Sequence, residues 1–344
     1  MMRPLRYAVL GCGFWSQFQI AAWQEVGGVE LIAVYNRTKC EAEATAVRFG
    51  APAVYDDAEA LLAKEPLDFV DIITDVSTHS QFVELAARYR VPVICQKPMA
   101  SDLATAEAMV RTCREAGVFF AVHENWRWQQ CIRELKRTIE EATIGRPFRG
   151  RVTFSTSFSV FDNQPFLRQT PQFIITDIGS HIIDVARFLF GEARSLNCQT
   201  RRVNSAIMGE DVATVMMEMG EGVTVTCEMS YASRLEYERY PETYALIECG
   251  RGSVSLTQDG WVRVTTADGT LARRYVPPHY SWMDSRYEVV QASIVPCNAH
   301  LLEALRSGCP AETSGENNLA TMRLVFGAYE SAATGQVIYP QRGA

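Results

Sequence analysis

Three side chains suited to proton transfer stand out: a lysine after a short apolar run, and an acid and a histidine on one later segment. Lys97 follows Val93–Gln96 and precedes Pro98, a pattern that predicts the carboxyl end of a buried strand. Open parallel sheets bind ligands at that edge. Asp177 and His181 are four residues apart. We expect the first half of the chain to carry Lys97 to a cleft, where the second half supplies the acid and the histidine.

The segment 174–189 predicts a helix that is apolar on most sides. Asp177, His181 and Asp184 are spaced i, i+4 and i+7 along it, which places all three on one face. Ionisable groups are costly to bury without partners, so this face predicts a polar cavity. The alternative is that His181 is a core residue whose ring nitrogens form hydrogen bonds within the protein. Metal binding by Asp177 and His181 is geometrically feasible, but Asp184 is the one further strong ligand in the pattern, and we expect no metal.

A glycine-rich turn follows the first predicted strand. Its order is Gly11-x-Gly13-x-x-Ser16, which departs from the dinucleotide fingerprint in its third small residue. Gly11 allows a tight turn, and Gly13 lets the backbone approach a pyrophosphate at the N-terminus of the next helix. We expect Gly11, Gly13, Phe14 and Trp15 to bind NAD or NADP. An ordinary glycine turn is the alternative.

The end of the second predicted strand bears on the choice between NAD and NADP. NAD enzymes place an acid there to bind the adenosine ribose, whereas this chain has Asn36, Arg37, Thr38 and Lys39. We predict that no carboxylate repels a 2′-phosphate here, and the side chains of residues 37–39 are able to bind one. NADP is therefore at least as well suited as NAD. Alternatively, Arg37 stacks on the adenine.

Strand-like runs alternate with amphipathic helix patterns in the first third of the chain. This alternation predicts a parallel sheet with helices on both faces, and we expect a Rossmann NAD(P)-binding domain over residues 1–123. Residues 124–344 begin with a helix and continue largely as strand patterns separated by glycine turns. They predict an α+β domain with a large, mainly antiparallel sheet, which binds substrate and forms the oligomer contact.

The composition narrows the class of protein. The chain has 344 residues, of which 47% are hydrophobic and 21% charged, and a net charge of -7. These values suit a two-domain globular protein and argue against a nucleic-acid binder, which needs a basic surface. We expect no membrane span and no signal peptide. Ten scattered cysteines without a C-x-x-C pair predict a cytoplasmic protein without disulfides or zinc.

Several motifs together resemble the glucose–fructose oxidoreductase/inositol dehydrogenase family along the full chain. They are Gly11-x-Gly13, His79, Gln96-Lys97-Pro98, His123-Glu124-Asn125-Trp126-Arg127-Trp128 and Asp177-x-Gly-x-His181-x-x-Asp184. The family usually has an acid where Gln96 stands, although a glutamine can also bond a ribose hydroxyl. Within the family, segments 93–98, 123–129 and 209–214 resemble bacterial D-apiose dehydrogenases.

The resemblance implies hydride transfer between a nicotinamide and a hydroxyl-bearing carbon of a sugar or polyol. For an aldose of the D-apiose type, the product would be a lactone. Lys97, Asp177 and His181 are the expected catalytic residues. His181 is the expected general base, because the pKa of imidazole lies near the working pH.

The remaining expected contacts divide into two sets. Beyond the glycine turn, the cofactor set is Asn36, Arg37, Thr74, His79, Gln96 and Lys97. The substrate set is Lys97, Asn125, Arg127, Asp177 and His181. Alternatively, Arg127 is a structural cation packed between aromatic rings.

Two other functions fit the same fold. One is a non-catalytic dinucleotide sensor, and the other is an NAD-dependent glycoside-cleaving enzyme. The presence of Lys97, Asp177 and His181 together argues against the sensor. Alternating apolar residues over 223–231 predict a sheet with one apolar face, and we expect a homodimer or homotetramer through the C-terminal sheet.

Overall fold

The computed structural model describes residues 3–236 and 240–340. The chain forms two compact units. Unit 1 combines Met1–Asn125, Tyr280–Met283 and Ile294–Met322; unit 2 combines Trp126–His279, Asp284–Ser293 and Arg323–Ala344. The outer ends of the two expected domains, residues 1–2 and 341–344, lie outside the described residues.

Unit 1 contains a six-stranded parallel sheet of order β3-β2-β1-β4-β5-β6. Its strands are β1 (Leu5–Leu10), β2 (Val29–Tyr35), β3 (Ala53–Tyr55), β4 (Phe69–Ile72), β5 (Val93–Gln96) and β6 (Phe120–His123). The helices between them are α1 (Ser16–Val26), α2 (Lys39–Phe49), α3 (Ala58–Lys64), α4 (His79–Arg88) and α5 (Leu103–Ala116). The Rossmann prediction is confirmed. The sequence pattern missed β3, because three residues are too few to show a period.

Unit 2 contains an eight-stranded sheet of order β14-β13-β12-β11-β7-β10-β9-β8. Its strands are β7 (Pro147–Ser155), β8 (Ala193–Arg201), β9 (Val212–Met219), β10 (Thr224–Ser230), β11 (Thr243–Cys249), β12 (Gly252–Thr257), β13 (Trp261–Thr266) and β14 (Gly269–Arg274). Neighbouring strands are antiparallel except β7 and β10, which pair in parallel. The prediction of a mainly antiparallel sheet is confirmed, and Val225, Cys227 and Met229 point to its buried face.

The helices of unit 2 depart from the expected ones at their ends. They are α6 (Gln130–Glu140), α7 (Ser180–Phe190) and α8 (Glu288–Gln291). A 3-10 turn at Trp126–Trp128 precedes α6, and a π-helical turn at Ile175–Gly179 precedes α7. α8 ends at Gln291, and Ser293 Oγ donates to the Val290 carbonyl at 2.7 Å, a bond that competes with helix continuation.

Two further helices complete the chain, α9 (Ile294–Ser307) and α10 (Gly315–Thr334). Within unit 1, α9 packs against α1. The expected assignment of every residue after 123 to the second domain therefore differs from the observed division. The sequence pattern could not show this return, because it depends on tertiary packing. In the part of the chain that the structure describes, no helix is both long and apolar enough to cross a membrane.

The carboxylate of Asp71 lies in the core of unit 1. Asp71 is on β4 and is fully buried. It accepts hydrogen bonds from Gln19 Nε2 at 2.8 and 2.9 Å and from Trp23 Nε1 at 2.8 Å. These donors are neutral, so they solvate the charge less well than a cation would. Burial raises the pKa of Asp71 from its ordinary value of 3.8 to about 7, and the bonds from Trp23 and Gln19 offset part of that rise.

Replacing Asp71 by Asn is expected to change how stability depends on pH. A carboxyl with a raised pKa in the folded state contributes stability that is full below about pH 4 and is lost as pH rises to about 7. The free energy of unfolding of the wild type, minus that of Asp71→Asn, should fall across this range in urea titrations. One pKa unit corresponds to about 1.4 kcal/mol, so the slope is measurable.

Asp68→Asn is a matched control with the opposite sign. The hydrogen bond from Arg3 is the main cause of the lowered pKa of Asp68, so its contribution is lost as pH falls instead. A flat difference curve for Asp71 would contradict the assignment of a raised pKa.

Candidate active site

The candidate residues are distributed over both units, and each set takes its geometry from its own unit. In unit 1 they lie at the carboxyl ends of the parallel strands, as expected for this fold. In unit 2 they lie around the start of α7.

The glycine turn after β1 is built for a close backbone approach. Gly11 has a φ of 103°, and a Cβ there would come within 2.6 Å of the Ile73 carbonyl oxygen, so a side chain is excluded. A Cβ at Gly13 would meet no atom within 4 Å, which leaves open space in front of the turn. Ser16 Oγ donates to the Gly13 carbonyl at 2.7 Å and fixes the start of α1. The turn fits a dinucleotide pyrophosphate at the helix N-terminus.

The aromatic residues of this turn differ in their surroundings. Phe14 is 38% exposed, and its ring lies edge-on to that of Phe18 with the centroids 5.2 Å apart. Trp15 is half-buried and also packs edge-on to Phe18. Their direct contact with a dinucleotide stays a prediction.

The residue after β2 supports the glycine turn. Asn36 Oδ1 accepts from the Cys12 backbone N–H at 3.1 Å, and Asn36 Nδ2 donates to the Glu41 carboxylate at 2.5 Å. Residues 36–39 contain no carboxylate, as expected, but the carboxylate of Glu41 lies beside this position. The first turn of α2 folds Glu41 back beside Asn36, five residues away in sequence, where inspection of the strand end alone could not find it. Arg37 is exposed nearby.

His79 holds the turn that follows Lys97. It is 1% exposed. Its Nδ1 lies 3.1 Å from the Pro98 carbonyl and 3.3 Å from the Met99 carbonyl, and its Nε2 lies 3.2 Å from the Thr74 carbonyl. Burial lowers the pKa of His79. These contacts show that His79 joins the loops after β4 and β5, and its expected contact with the cofactor stays a prediction.

Lys97 itself is half-buried directly after β5. Its backbone N–H donates to the side-chain carbonyl of Gln96 at 2.8 Å. Gln96 is 8% exposed, and its amide nitrogen donates into the core, to Gln19 Oε1 at 2.8 Å. Gln96 therefore supports the backbone of Lys97, and its expected bond to a ribose hydroxyl stays a prediction. Asn125 is buried at the end of the first segment of unit 1.

In unit 2, a half-buried acid, Glu210, caps the segment that carries Asp177. The backbone N–H groups of Phe173 and Ile175 each donate to the Glu210 carboxylate at 3.3 Å. Tyr329 Oη also donates to Glu210, at 2.8 Å. The negative charge faces free N–H groups at a helix start, which is the favourable arrangement. Sequence reasoning missed Glu210, since its partners lie about 35 residues earlier in the chain.

The π-helical turn changes the relation between Asp177 and His181. A π-turn closes with i→i+5 bonds and is often found at functional sites, so the expected regular i, i+4 face does not hold over this stretch. Asp177 Oδ2 accepts from Tyr231 Oη at 3.2 Å, and Tyr231 Oη lies 3.5 Å from Tyr240 Oη. Burial raises the pKa of Tyr231, which keeps its phenol a donor.

His181 is oriented by ring stacking. It is 4% exposed, and its imidazole lies parallel to the indole of Trp126, with centroids 4.5 Å apart and an interplanar angle of 7°. Trp126 is itself 1% exposed. The wall behind the imidazole is therefore rigid, and the plane of the ring is fixed.

Asp184 and Arg127 form a buried ion pair. Arg127 Nε and Nη2 donate to the two carboxylate oxygens of Asp184 at 2.5 and 2.6 Å, and the guanidinium lies 5.7 Å from the centroid of Phe188. These are the contacts of the structural cation considered above, and they differ from the expected substrate contact. Asp184 is fully buried in this pair. The pair ties the turn at Trp126–Trp128 to α7 and so holds Trp126 against His181.

The described residues include no group of three or more His, Cys, Asp or Glu side chains arranged to hold a metal ion. Unit 1 thus presents a dinucleotide turn and a lysine on a braced strand end. Unit 2 presents an acid and a histidine on a capped, ion-paired helix. These groups can bind an anionic dinucleotide and move a proton.

Comparison with known proteins assigns this architecture. Residues 5–124 match the oxidoreductase family with an NAD-binding Rossmann fold, and residues 132–255 match the GFO/IDH/MocA C-terminal domain. The chain is 43% identical to a D-apiose dehydrogenase of Paraburkholderia graminis, over 98% of this chain and 90% of the relative. It is 41% identical to a D-apiose dehydrogenase of Rhizobium rhizogenes, over 98% of each chain.

A solved structure agrees closely with the fold. It is an oxidoreductase from Agrobacterium radiobacter in complex with NAD+, L-tartaric acid and magnesium. The TM-score is 0.95 at 41% identity, covering 97% of this chain and 98% of that one. The chain belongs to the GFO/IDH/MocA family of NAD(P)-dependent oxidoreductases.

Proposed function

We propose that this enzyme oxidises the anomeric hydroxyl of D-apiose, or of a closely similar aldose, to the lactone. The observation that carries the proposal is the identity of 41 to 43% with two D-apiose dehydrogenases along nearly the whole chain. The side chains of both units supply the acid, base and cation that such a reaction needs. A bound nicotinamide supplies the hydride acceptor.

Proton removal from the substrate hydroxyl is assigned to His181. An imidazole titrates near neutral pH, and stacking on Trp126 holds the ring in one plane, so little reorganisation is needed as the proton moves. Asp177, which accepts a bond from Tyr231, has further carboxylate lone pairs that can accept from a sugar hydroxyl. Its role is to orient the hydroxyl that reacts.

Stabilisation of the developing alkoxide is assigned to Lys97. A positively charged ammonium beside the reacting oxygen favours the charge that builds up as the proton leaves. The backbone of Lys97 is held by Gln96 and the turn that follows it by His79, so the cation is presented from a rigid strand end. Asn125 is proposed as a further substrate ligand, while Arg127 supports Trp126 through Asp184.

Lys97→Met and His181→Ala are each expected to lower kcat by about 100-fold or more, while NADH binding measured by fluorescence persists. Because both residues act on one hydroxyl, the double variant should lose less than the product of the two single losses. Lys136→Met, which removes an ammonium paired with Glu140 on α6, is the control and should turn over normally. Normal turnover of either single variant would remove that residue from the mechanism.

The substrate is tested by screening D-apiose, other aldoses and inositols with NAD and NADP, following nicotinamide absorbance. D-Apiose is expected to give the highest kcat/KM, and the product should be a lactone. Turnover of a chromogenic glycoside without a change in nicotinamide absorbance would indicate glycoside cleavage instead. Binding of dinucleotide without turnover of any sugar would indicate a sensor.

We also propose that NAD is preferred to NADP. The proposal is supported by the Glu41 carboxylate, which accepts from Asn36 at the end of β2 and would repel a 2′-phosphate bound beside it, while Arg37 offers a compensating cation. Glu41→Gln is expected to raise kcat/KM for NADP relative to NAD by about 3- to 5-fold, the effect of ~1 kcal/mol from an exposed charge. Glu43→Gln, an exposed acid on the same helix, is the control. An unchanged NADP/NAD ratio in Glu41→Gln would contradict the assignment.

A homodimer or homotetramer through the eight-stranded sheet is proposed as the assembly. Met216 on β9 points away from the buried face and is 52% exposed, next to Thr226 on β10. Met216→Glu should lower the molar mass measured by light scattering, whereas Met208→Glu, an exposed methionine outside the sheet, should not. A wild type that elutes at 38.5 kDa would exclude the assembly.

The reducing cytoplasm is proposed as the compartment. All ten cysteines are free, and most are buried, which suits an environment that keeps thiols reduced. Burial raises the pKa of the thiols of Cys95, Cys113 and Cys227, so these side chains act as small apolar groups rather than as nucleophiles.

A further inference from the structure

A chain of buried side-chain hydrogen bonds links the core of unit 1 to Lys97. It begins at the carboxylate of Asp71 and passes through the amides of Gln19 and Gln96. It ends at the backbone N–H of Lys97. Asp71 and Gln19 are fully buried, and Gln96 is 8% exposed, so solvent has little access to the bonds.

The carboxylate fixes the direction of every bond in this chain. When Asp71 is ionised, its carboxylate accepts hydrogen bonds and donates none, so Gln19 then has to present its NH2 group to Asp71. Its carbonyl oxygen then faces Gln96, which has to donate its own NH2. The carbonyl oxygen of Gln96 is left facing the N–H of Lys97, at 2.8 Å. One acceptor-only group in the core thus sets the orientation of two amides and supplies an acceptor at the strand end.

The same chain is attached to the dinucleotide turn. Gln19 lies on α1, one turn after Ser16, which bonds the Gly13 carbonyl. Its backbone carbonyl accepts from Asn298 Nδ2 at 3.4 Å, and Asn298 Oδ1 lies 2.9 Å from His123 Nε2. The helix behind the glycine turn and the backbone of Lys97 therefore share one buried support.

A neutral residue would be the simpler choice for the centre of a sheet. Burial raises the pKa of Asp71 to about 7, and the neighbouring Tyr7 and Cys95 also have raised pKa values, chiefly from burial and partly from the charge of Asp71. A carboxylate that lowers stability as it ionises is more readily explained by function than by folding.

We infer that Asp71, Gln19 and Gln96 are positioning residues that orient the backbone of Lys97 for catalysis through this directed chain. The inference rests on the proposed role of Lys97. Asp71 is proposed to contact neither substrate nor cofactor and to act on the backbone of Lys97 through the two glutamines.

Two substitutions break the direction, and their combination restores it. In Gln96→Glu, the side-chain amide of Gln19 lies between two carboxylates. Its NH2 group can donate to only one of them, so its carbonyl oxygen faces the other carboxylate without a proton between them. In Asp71→Asn, the new NH2 group has two possible orientations. It either faces the N–H of Trp23, or it donates to Gln19 and reverses the direction of the following bonds, so that the NH2 of Gln96 faces the N–H of Lys97.

In the double variant, the new amide at position 71 donates to the carbonyl oxygen of Gln19. The NH2 of Gln19 then donates to the new carboxylate at position 96, which also accepts from the N–H of Lys97. Every group is again paired, with the charge moved along the chain.

The test is a double-mutant cycle with two readouts on the full-length enzyme. For turnover, each single variant is expected to lower kcat/KM per folded enzyme by about tenfold or more, the effect of leaving one buried donor or acceptor unpaired. The double variant should return to within about 3-fold of the wild type. If Asp71→Asn does not fold, Gln96→Glu against the double variant makes the same comparison.

The second readout does not depend on the sugar. The chain has four lysines, Lys39, Lys64, Lys97 and Lys136, so labelling with ¹⁵N-lysine gives few backbone signals, and Lys97→Met identifies that of Lys97. Hydrogen exchange of the Lys97 N–H should be about tenfold or more faster in Asp71→Asn than in the wild type, and slow again in the double variant. Asp68→Asn and Gln24→Glu, both on the outside of unit 1, are the matched controls.

The outcomes separate the two proposals. The positioning chain is overturned if the loss of kcat/KM in the double variant equals the product of the two single losses. It is also overturned if hydrogen exchange of the Lys97 N–H is the same in Asp71→Asn as in the wild type. A loss of melting temperature with unchanged turnover per folded enzyme overturns it as well, since that is a structural effect. Full turnover by Lys97→Met, or absence of sugar oxidation by the wild type, overturns the proposed function, while the exchange pattern still tests the chain.

Discussion

A carboxylate that is taken out of water has to be surrounded by hydrogen-bond donors or by a cation, and both units are built around this requirement. In unit 1, neutral donors from α1 reach Asp71 in the sheet. In unit 2, the guanidinium of Arg127 reaches Asp184, and backbone N–H groups reach the half-buried Glu210. Each contact joins a core element to a segment that carries a candidate side chain. The positions of those side chains therefore depend on the hydrogen bonds and the ion pair that these carboxylates form.

The two units meet this requirement in different ways, with different consequences for the chemistry. A bidentate guanidinium–carboxylate pair holds two segments in a fixed geometry, and here it holds the indole of Trp126 flat against His181. A carboxylate met by neutral amides is less well stabilised but imposes a direction on the amides around it. Unit 2 thus gains a rigid imidazole, and unit 1 gains an oriented strand end. Hydride and proton transfer depend on such fixed distances, because small displacements of the reacting groups strongly lower the rate.

The residues proposed to determine dinucleotide selectivity differ in exposure from the proposed catalytic groups. Glu41 and Arg37 are exposed, so their charges are screened by water and salt and act by modest amounts. The buried carboxylates are screened far less. The enzyme therefore combines a strongly constrained interior with a surface patch of both signs, where the preference between NAD and NADP can change without disturbing the core.

The amino-acid sequence by itself determined the Rossmann unit, the glycine turn, the position of Lys97 at a strand end and the mainly antiparallel second sheet, because these follow from local periodicity and from what glycine and proline permit. Tertiary structure alone decided the partners. Asp71 bonds Gln19 across 52 residues, and Asp184 pairs with Arg127 across 57, partners that helical spacing alone does not predict. Glu41 reached Asn36 through the first turn of α2, and α9 returned to unit 1. Sequence spacing shows which residues share a strand or a helix face, whereas hydrogen-bond partners are set by which elements pack together.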